Sequence, residues 1–407
     1  MESTTLLPTL VLPPALLSVD PASLFALLQR LHDPRKRRGR RSSLAAVLTL
    51  IILAKLAGET SISGIAHWAR LRADWLAPLL HLRHPRLPCA NTLTLVCAKL
   101  DGDDFNRRLA HFFVPPLPPL PPSPTAPHPE VPGPPRAQRH LALDGKTLRG
   151  TRRSGHVVQP AVHLLSLYDV THQGTLAQAE VATKDHEIPG ATAMLTGQDL
   201  RGCVVTADAL HTQRAWCRTV REHGGDSVLI VKKNQRTVLG DLAVLFDGEW
   251  PTWLGRQTKR TANKGHGRRE VRTVHTSAEM NEYLAGQWED LAQVFQIERE
   301  IVRNGKTSRE VVYGITSVPG EVAGAGEVLS LVRAHWQLEN RVHWRRDVTL
   351  GEDGCQVKQG KAVQVLAALN NGVLMLMDHL GVQNVKAQMR EFAAQPVAAV
   401  ALLFRAL

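Results

Sequence analysis

Three carboxylates in this chain stand at the edges of apolar or aromatic stretches. Asp144 ends the stretch Leu-Ala-Leu-Asp, Asp208 ends Val-Val-Thr-Ala-Asp, and Glu339 follows His-Trp-Gln-Leu. An unpaired carboxylate in such a place costs several kcal/mol to bury or becomes protonated. Divalent cations would compensate the charge if the three side chains converge on them. Because Mg²⁺ prefers oxygen ligands, the pattern predicts metal-assisted phosphoryl chemistry, with two Mg²⁺ ions held by these acids.

Each carboxylate taken singly also has an ordinary structural explanation. An Asp after a strand is often a turn residue or a helix cap, and Asp208 could cap the helix that follows it. Glu339 could be an exposed side chain beside tryptophans that pack in the core. The metal interpretation is favoured because the three acids occur together, and because ligands bind at the carboxyl ends of strands in an open α/β sheet.

The charge of the chain indicates a polyanionic partner. The 407 residues carry a formal net charge of +12, which is typical of nucleic-acid-binding proteins and, less often, of proteins that bind acidic membranes. The five cysteines have no CxxC spacing, which argues against a zinc site and fits a reducing compartment. The longest apolar run, residues 44–57, is too short to span a bilayer. We therefore expect a cytoplasmic protein without a membrane partner.

A proline-rich stretch divides the chain. Residues 1–113 have apolar residues at helical spacing and predict a small helical domain. Residues 114–137 contain too much proline for a helix or a central strand, so we expect a stiff, extended linker. Residues 138–407 are predicted to form the catalytic domain.

The order of the elements beyond the linker predicts an α/β fold with a mixed sheet. Three strands are followed by helix, strand, helix and strand, which indicates an antiparallel meander continued by α/β crossover units. Three further strands predict a β-rich insertion at about 236–322, and C-terminal helices are expected in 325–407. The predicted strands lie at 140–144, 161–170, 175–183, 203–206, 227–231, 268–276, 295–302 and 310–317, and the predicted helices at 189–198, 212–223, 326–341 and 362–379.

Long, co-linear segments of the sequence resemble bacterial insertion-sequence transposases. They are Asp144-Gly-Lys-Thr-Leu-Arg-Gly150, Thr206-Ala-Asp208-Ala-Leu-His-Thr-Gln213, and His335-Trp-Gln-Leu-Glu339-Asn-Arg-Val-His343-Trp through Asp347 to Asp353. With the N-terminal segments Asp33-Pro-Arg and Ile65-Ala-His-Trp-Ala69, they are similar to the H-repeat-associated type, also called the ISAs family, of the DDE superfamily. The likeness covers nearly the whole chain except the proline-rich stretch.

The resemblance implies a ribonuclease-H-like core. In that core Asp144, Asp208 and Glu339 would be the catalytic, metal-binding triad, with Mg²⁺ as the metal and Mn²⁺ able to replace it. The β-rich insertion would lie between Asp208 and Glu339. The chain departs from the family pattern at Lys184-Asp-His-Glu187, where the family has a Lys-Ser-Asn-Glu type of sequence.

Basic and polar side chains on several segments are predicted to contact the DNA backbone, which positions DNA without reading its sequence. For Lys146 and Arg149 the alternative is a solvated turn. Asp347, Glu352 and Asp353 are expected to be exposed loop acids rather than metal ligands. The DNA-contact candidates are Arg35, Lys36, Arg37, Arg38, Arg40, Arg41, Lys146, Arg149, Lys232, Lys233, Asn234, Lys264, Arg268, Arg269, His343 and Arg345.

Together these observations predict a DNA transposase. It would hydrolyse a phosphodiester at each end of an insertion sequence and join the freed 3′-hydroxyl to target DNA. Its partners would be the element ends, the target DNA and a second copy of the chain, as a homodimer on paired ends. The alternatives are a catalytically decayed or repurposed DNA-binding protein, and a metal-dependent nuclease that cuts without joining strands.

Overall fold

A computed structural model describes residues 19–38, 40–82, 86–119, 139–152, 160–182, 186–248, 255–265, 267–288, 290–358 and 361–407. Most of the predicted proline-rich linker, residues 120–137, lies outside this range. The expected N-terminal helical region is confirmed. Its helices are α1 (Leu24–Gln29), α2 (Leu44–Leu56), α3 (Ile62–Arg70), α4 (Ala73–Leu79), α5 (Ala90–Cys97) and α6 (Gly102–Phe113).

Helix α2 is the centre of the helical region. Every residue from Leu44 to Leu56 is buried, including Lys55, as expected for a helix that is apolar on all sides. The helix begins at Ser43, whose side chain accepts a hydrogen bond from the amide of Ala46 and so satisfies a free N–H of the first turn. Helices from the C-terminal end of the chain pack on α2, so the two ends share one hydrophobic core.

A single nine-stranded sheet forms the rest of the core, in the order β3-β2-β1-β4-β5-β9-β8-β7-β6. Strands β1, β2 and β3 are antiparallel, whereas β4 and β5 run parallel to β1. The predicted α/β fold with a ribonuclease-H-like mixed sheet is therefore confirmed. The strands are β1 (Arg139–Leu148), β2 (Val162–Asp169), β3 (Gly174–Val181), β4 (Cys203–Ala207), β5 (Asp226–Val231), β6 (Gln257–Gly265), β7 (Arg268–Ser277), β8 (Gln293–Arg303) and β9 (Lys306–Thr316).

The insertion differs from the prediction in two respects. It begins with a helix, α9 (Arg236–Asp247), and contains a further strand, β6, whose residues are nearly all exposed. A strand of polar residues exposed on both faces has no apolar alternation, which explains why the sequence pattern did not predict it. Strand β9 pairs with β5, so the insertion extends the central sheet.

The remaining helices lie on the faces of the sheet and at its C-terminal end. None of the helices within the described ranges is long and apolar enough to cross a membrane. Helix α11 continues into two π-helical segments, Leu338–His343 and Arg345–Thr349. The helices are α7 (Glu187–Leu195), α8 (Arg214–Glu222), α10 (Asn281–Leu284), α11 (Ala325–Gln337), α12 (Ala362–His379), α13 (Val385–Ala394) and α14 (Pro396–Phe404).

Candidate active site

Asp144 lies on β1, and Asp208 directly follows the neighbouring parallel strand β4. The register pairs Leu143 of β1 with Ala207 of β4, so each aspartate is the next residue on its own chain segment. Neighbouring strands are about 4.8 Å apart, which brings the two backbones together at this edge. Strand β1 continues to Leu148, four residues beyond the predicted end. Asp208 is also the cap of a short 3₁₀ helix, because its Oδ1 accepts a hydrogen bond from the amide of Leu210 at 3.0 Å.

The electrostatic state of Asp144 indicates that several acids converge on it. Burial raises the pKa of Asp144 to about 7, and the negative charges of Asp208, Glu187 and Glu339 act in the same direction. The amide of Gly145 opposes them by donating a hydrogen bond to Oδ1 of Asp144 at 2.9 Å. Asp208, Glu339 and a further acid, Glu187, are therefore close enough to Asp144 for their charges to act on it.

Glu339 approaches from helix α11, which a histidine anchors to the sheet. His335 Nδ1 lies 3.0 Å from the hydroxyl of Thr206 on β4, and His140 Nε2 lies 2.8 Å from the same hydroxyl. Burial lowers the pKa of each histidine to about 4, so both are neutral at pH 7. Glu339 follows His335 by four residues, about one helical turn.

The chain around Glu339 forms a π-helical segment, Leu338–His343. Such wide turns are rare and occur mostly at functional sites. Trp336 and Glu339 are exposed, whereas His343 is buried, so these three residues do not share one face as the spacing of a regular α-helix would predict. The wider spacing turns His343 inward, where its Nδ1 lies 3.4 Å from Oδ2 of Asp144.

Glu187 is a fourth acid that the sequence analysis did not select. It lies buried in the first turn of α7, and its Oε1 is 2.7 Å from Nε2 of His163 on β2. His211 Nδ1 contacts Oδ1 of Asp208 at 3.0 Å. One ligand atom each from Glu187, Asp208 and His211 lies within 4.8 Å of the others. The sequence did contain a signal for this residue, because Glu187 stands at the position of the glutamate in the family's Lys-Ser-Asn-Glu sequence.

The donor set fits a divalent cation. Asp144, Asp208, Glu187 and Glu339 are carboxylates whose mutual repulsion helps to raise the pKa of Asp144, and a bound cation would relieve it. The Nε2 atoms of His211 and His343 are buried and have no hydrogen-bond partner among the described residues. Oxygen ligands suit Mg²⁺ and Mn²⁺, and an imidazole suits Mn²⁺ better than Mg²⁺.

Several candidates for DNA contact are buried and already paired. Lys146 lies 2.6 Å from Asp347, and Arg345 donates to Asp378 at 2.8 Å. His343 is buried beside Asp144, and Arg35 pairs with Asp33 at 2.8 Å. Burial and internal partners do not favour direct contact with DNA for Lys146, His343 and Arg345, whose assignment as DNA contacts stays a prediction.

The other candidates are mostly on the surface. Asn234 is exposed, but its amide donates to the carbonyl of Ala209 at 2.6 Å and so holds the loop after Asp208. Arg40 donates to the carbonyl of Asp33 at 3.0 Å, so its side chain also has a partner within the chain. The exposed candidates are Lys36, Arg37, Arg38, Arg40, Arg41, Arg149, Lys232, Lys233, Asn234, Lys264, Arg268 and Arg269.

The acids after Glu339 are not the exposed loop acids that the sequence suggested. Glu352 is buried, accepting a hydrogen bond from Arg346 at 2.8 Å and another from Asn370 at 2.9 Å. Asp347 and Asp353 are partly buried and lie 2.6 Å and 3.8 Å from the Lys146 ammonium group. The expectation of exposure is wrong because the buried side chains of Arg346 and Lys146 pair with these acids.

Comparison with known proteins gives two family matches. The model described as "Transposase DDE domain" matches residues 135–376, and the model described as "DDE_Tnp_1-associated" matches residues 25–113. The first match contains Asp144, Asp208, Glu339 and also Glu187, so all four acids lie within the matched domain.

Curated relatives agree with these matches. In Escherichia coli strain K12, "Putative protein YbfL" and "H repeat-associated putative transposase YhhI" are each 28% identical over 246 residues, or 57% of this chain and 62% of the relative. The chain thus spans less than two thirds of the length of these two relatives. "Putative transposase YncI" of Escherichia coli O157:H7 is 24% identical over 361 residues, which is 87% of each chain.

The match to the DDE domain covers more than half of the chain and includes the ribonuclease-H-like sheet. The match to the associated domain covers the N-terminal helices. This protein therefore belongs to the DDE transposase family.

Proposed function

We propose that this protein cleaves DNA at the ends of an insertion sequence and transfers the freed 3′ ends to target DNA. Asp144, Asp208 and Glu339 are the proposed catalytic acids. The observation that carries the proposal is the meeting of acidic residues at one edge of the sheet. Asp144 and Asp208 directly follow the paired residues Leu143 and Ala207, and a ligand atom of Glu187 lies within 4.8 Å of one of Asp208. Burial and the charges of Asp208, Glu187 and Glu339 raise the pKa of Asp144. Acids that repel one another so closely are suited to holding divalent cations.

The reaction assigns a task to each element of the site. Two bound divalent cations would activate the attacking hydroxyl and stabilise the leaving oxygen of the phosphodiester. Asp144 and Asp208 present carboxylates from adjacent strands, and Glu339 presents a third from the helical side. Neutral His343 keeps the Asp144 carboxylate in place, and the contact between His335 and Thr206 fixes α11 over β4. Positioning and charge neutralisation suffice because the transfer needs no covalent enzyme intermediate.

Exposed basic side chains would guide the DNA to this site. Lys232 and Lys233 follow the carboxyl end of β5. Because β4 and β5 are parallel, these lysines lie at the same edge of the sheet as Asp208. The segment with Lys36, Arg37 and Arg38 would contact the phosphate backbone from the helical region. We further propose a homodimer on paired ends, Mg²⁺ as the natural cation, and action in the cytoplasm.

A strand-transfer assay tests the proposal. The substrate is the DNA that flanks the gene, end-labelled and incubated with the full chain, Mg²⁺ and a target plasmid. Joined product is the expected result. Asp208→Asn should lower its rate at least about a hundredfold, since even indirect partners of metal ligands typically contribute 10–100-fold. Asp74→Asn, on the exposed side of α4, is the matched control and should leave the rate unchanged.

The other outcomes separate the alternatives. Cleaved but unjoined DNA would identify a nuclease, and a gel shift without cleavage or joining would identify a DNA-binding protein. Equal activity of wild type and Asp208→Asn would contradict the assignment of the acids.

A further inference from the structure

Glu187, Asp208 and His211 form a compact group of possible metal ligands. One ligand atom from each residue lies within 4.8 Å of the other two, and within the described ranges no other three histidine, cysteine, aspartate or glutamate side chains meet so closely. Glu187 begins helix α7, Asp208 follows β4, and His211 lies in the 3₁₀ helix after Asp208. The meeting of Glu187 with the other two is therefore a product of the tertiary structure and not of one local turn.

The separation of Asp208 and His211 fits two ligands of one ion. Nδ1 of His211 lies 3.0 Å from Oδ1 of Asp208. Two ligand atoms that each lie about 2.1 Å from one ion, at right angles to each other, are about 3.0 Å apart. An ion could therefore bind both atoms with little movement of either side chain.

His211 has a nitrogen atom that its surroundings leave unused. The side chain is fully buried, and its Nε2 atom has no hydrogen-bond partner in the described parts of the chain. The ring packs against Trp216, with 5.4 Å between the ring centroids. Buried histidines with a purely structural role normally have their polar atoms hydrogen-bonded. An incompletely paired imidazole beside two carboxylates instead indicates a metal ligand.

Glu187 is held in place as metal-binding carboxylates usually are. Its Oε1 atom lies 2.7 Å from Nε2 of His163, and Nδ1 of His163 lies 2.8 Å from the hydroxyl of Thr147. A Cβ atom on Gly145 would lie 2.6 Å from the same Oε1 atom, so the carboxylate packs directly against β1. Hydrogen-bonded partners of this kind orient metal ligands. Because a carboxylate has two oxygens, Glu187 can accept from His163 and still bind a cation.

A nitrogen ligand changes which cations this group prefers. Mg²⁺ takes oxygen ligands and keeps several of its waters, whereas imidazole suits first-row transition metals. Asp144 and Glu339 offer oxygen alone, so they do not discriminate in this way. The group with His211 should therefore bind Mn²⁺ more tightly than Mg²⁺.

We propose that Glu187, Asp208 and His211 bind a first-row transition-metal ion such as Mn²⁺ in preference to Mg²⁺, with a nitrogen of His211 as one ligand. Glu187 and His211 are then metal ligands in addition to the three proposed catalytic acids, and Asp208 belongs to both sets. The inference rests on the proposed function for the role of the ion in cleavage, but its test measures metal binding alone.

Pulsed electron paramagnetic resonance of bound Mn²⁺ tests the nitrogen ligand directly. The sample is the full chain without DNA, freed of metal and then given equimolar Mn²⁺ and excess Mg²⁺, which fills oxygen-only sites. An imidazole nitrogen should modulate the spin echo in wild type. His211→Asn should remove this modulation, whereas His343→Asn should keep it, although Nδ1 of His343 lies 3.4 Å from Oδ2 of Asp144. His67→Asn, at an exposed position of α3, is the matched control and should also keep it.

Competition between the two ions measures the selectivity. The signal of free Mn²⁺ during a titration, with and without Mg²⁺, gives the dissociation constants of both ions. His211→Asn should weaken Mn²⁺ binding at least about tenfold but change Mg²⁺ binding by less than about threefold, because the lost ligand is a nitrogen.

A second pair of variants keeps the test decisive if His211→Asn does not fold. Glu187→Gln should weaken Mn²⁺ binding at least about tenfold, since even the outer partners of metal ligands contribute that much. Glu222→Gln, at the exposed end of α8, should leave Mn²⁺ binding unchanged. Wild-type Mn²⁺ affinity in Glu187→Gln would overturn the assignment.

The results separate this inference from the proposed function. A wild-type echo without nitrogen modulation, or modulation that survives in His211→Asn, would overturn the inference even if the protein joins DNA. Equal affinities of wild type for Mn²⁺ and Mg²⁺ would also overturn it. Modulation lost in His211→Asn and kept in His343→Asn would support it even if the strand-transfer assay gave no product and the proposed function failed.

Discussion

Nδ1 of His343 lies 3.4 Å from Oδ2 of Asp144, and this contact connects the π-helical segment that carries Glu339 with strand β1. Burial lowers the pKa of His343 to about 3, with Arg346, Lys146 and His335 acting in the same direction. The imidazole is therefore neutral at pH 7. It contacts the Asp144 side chain without placing a positive charge beside it.

Replacement of this imidazole should impair cleavage more than DNA binding. We expect His343→Ala to lower the cleavage rate about 10–100-fold, the usual effect of losing a group that orients a metal ligand. Duplex affinity in EDTA should stay within about twofold, because His343 is buried. Single-turnover cleavage and anisotropy measure the two effects. A variant that loses duplex affinity and cleavage in parallel would indicate a DNA contact instead.

Divalent cations should stabilise the folded protein through the candidate acids. At a cation concentration of 100 times the dissociation constant, binding to one site raises the free energy of unfolding by about 2.7 kcal/mol. We expect thermal unfolding to show this rise with Mg²⁺ or Mn²⁺ for wild type and for the Asp74→Asn control. The rise should largely disappear in Asp144→Asn and Asp208→Asn. An undiminished rise in both variants would place the cation elsewhere.

Gly145 should tolerate no side chain. A Cβ atom at this position would lie 2.5 Å from Nε2 of His163 and 2.6 Å from Oε1 of Glu187, both of which are buried. We expect Gly145→Ala to lower the free energy of unfolding by about 1–3 kcal/mol, as overpacking usually does. Urea unfolding measures the change.

The matched glycine substitution lies in helix α9. A Cβ atom on Gly240 would meet no atom within 4 Å, so Gly240→Ala should raise the free energy of unfolding by about 0.5–1 kcal/mol. If both glycine variants were stabilised, the close packing around Gly145 would be contradicted.

The ion pair between Lys146 and Asp347 should contribute to stability. Its atoms are 2.6 Å apart, and the side chains are 7% and 30% exposed. Loss of one partner of a buried ion pair lowers the free energy of unfolding by about 3–5 kcal/mol. Because Asp347 is partly exposed, we expect Lys146→Met to lower it by about 3 kcal/mol or less. A double-mutant cycle with Asp347→Leu should give an interaction energy of about 1–3 kcal/mol. Additive effects in urea unfolding would show that the two residues act independently.

Asp33 should make stability depend on pH in the acid range. Burial acts to raise the pKa of Asp33, but the hydrogen bonds and charge of Arg35, together with Arg40, outweigh it and lower the pKa below its ordinary value. A carboxylate with a lowered pKa stabilises the folded state above its unfolded-state pKa, and this contribution is lost as the pH falls through the folded-state pKa.

Asp33→Asn tests this dependence. At pH 7 we expect the variant to be less stable than wild type by about 1 kcal/mol, a modest value because the site is only partly buried. The difference should shrink as the pH falls below about 4, where the wild-type carboxyl group is also protonated. Urea unfolding at several pH values measures it, and a difference that persists at low pH would contradict the role of the charge.

Local sequence patterns were sufficient for much of the fold. Buried strands such as β4 and β5 have continuous apolar runs. Strand β6 and helix α9 were missed, because β6 is held by pairing with β7 rather than by an apolar face of its own.

The sequence by itself indicated the family, the order of the central strands and helices, and three candidate metal-binding acids, because these depend on residue types at short spacing. Only the tertiary structure decided which side chains surround those acids. Glu187 joins Asp208 although its own helix precedes β4 in the chain, and Lys146, His343 and Arg345 turn inward to charged partners. Such pairings depend on strand register and helix packing between distant segments, and no local pattern specifies them.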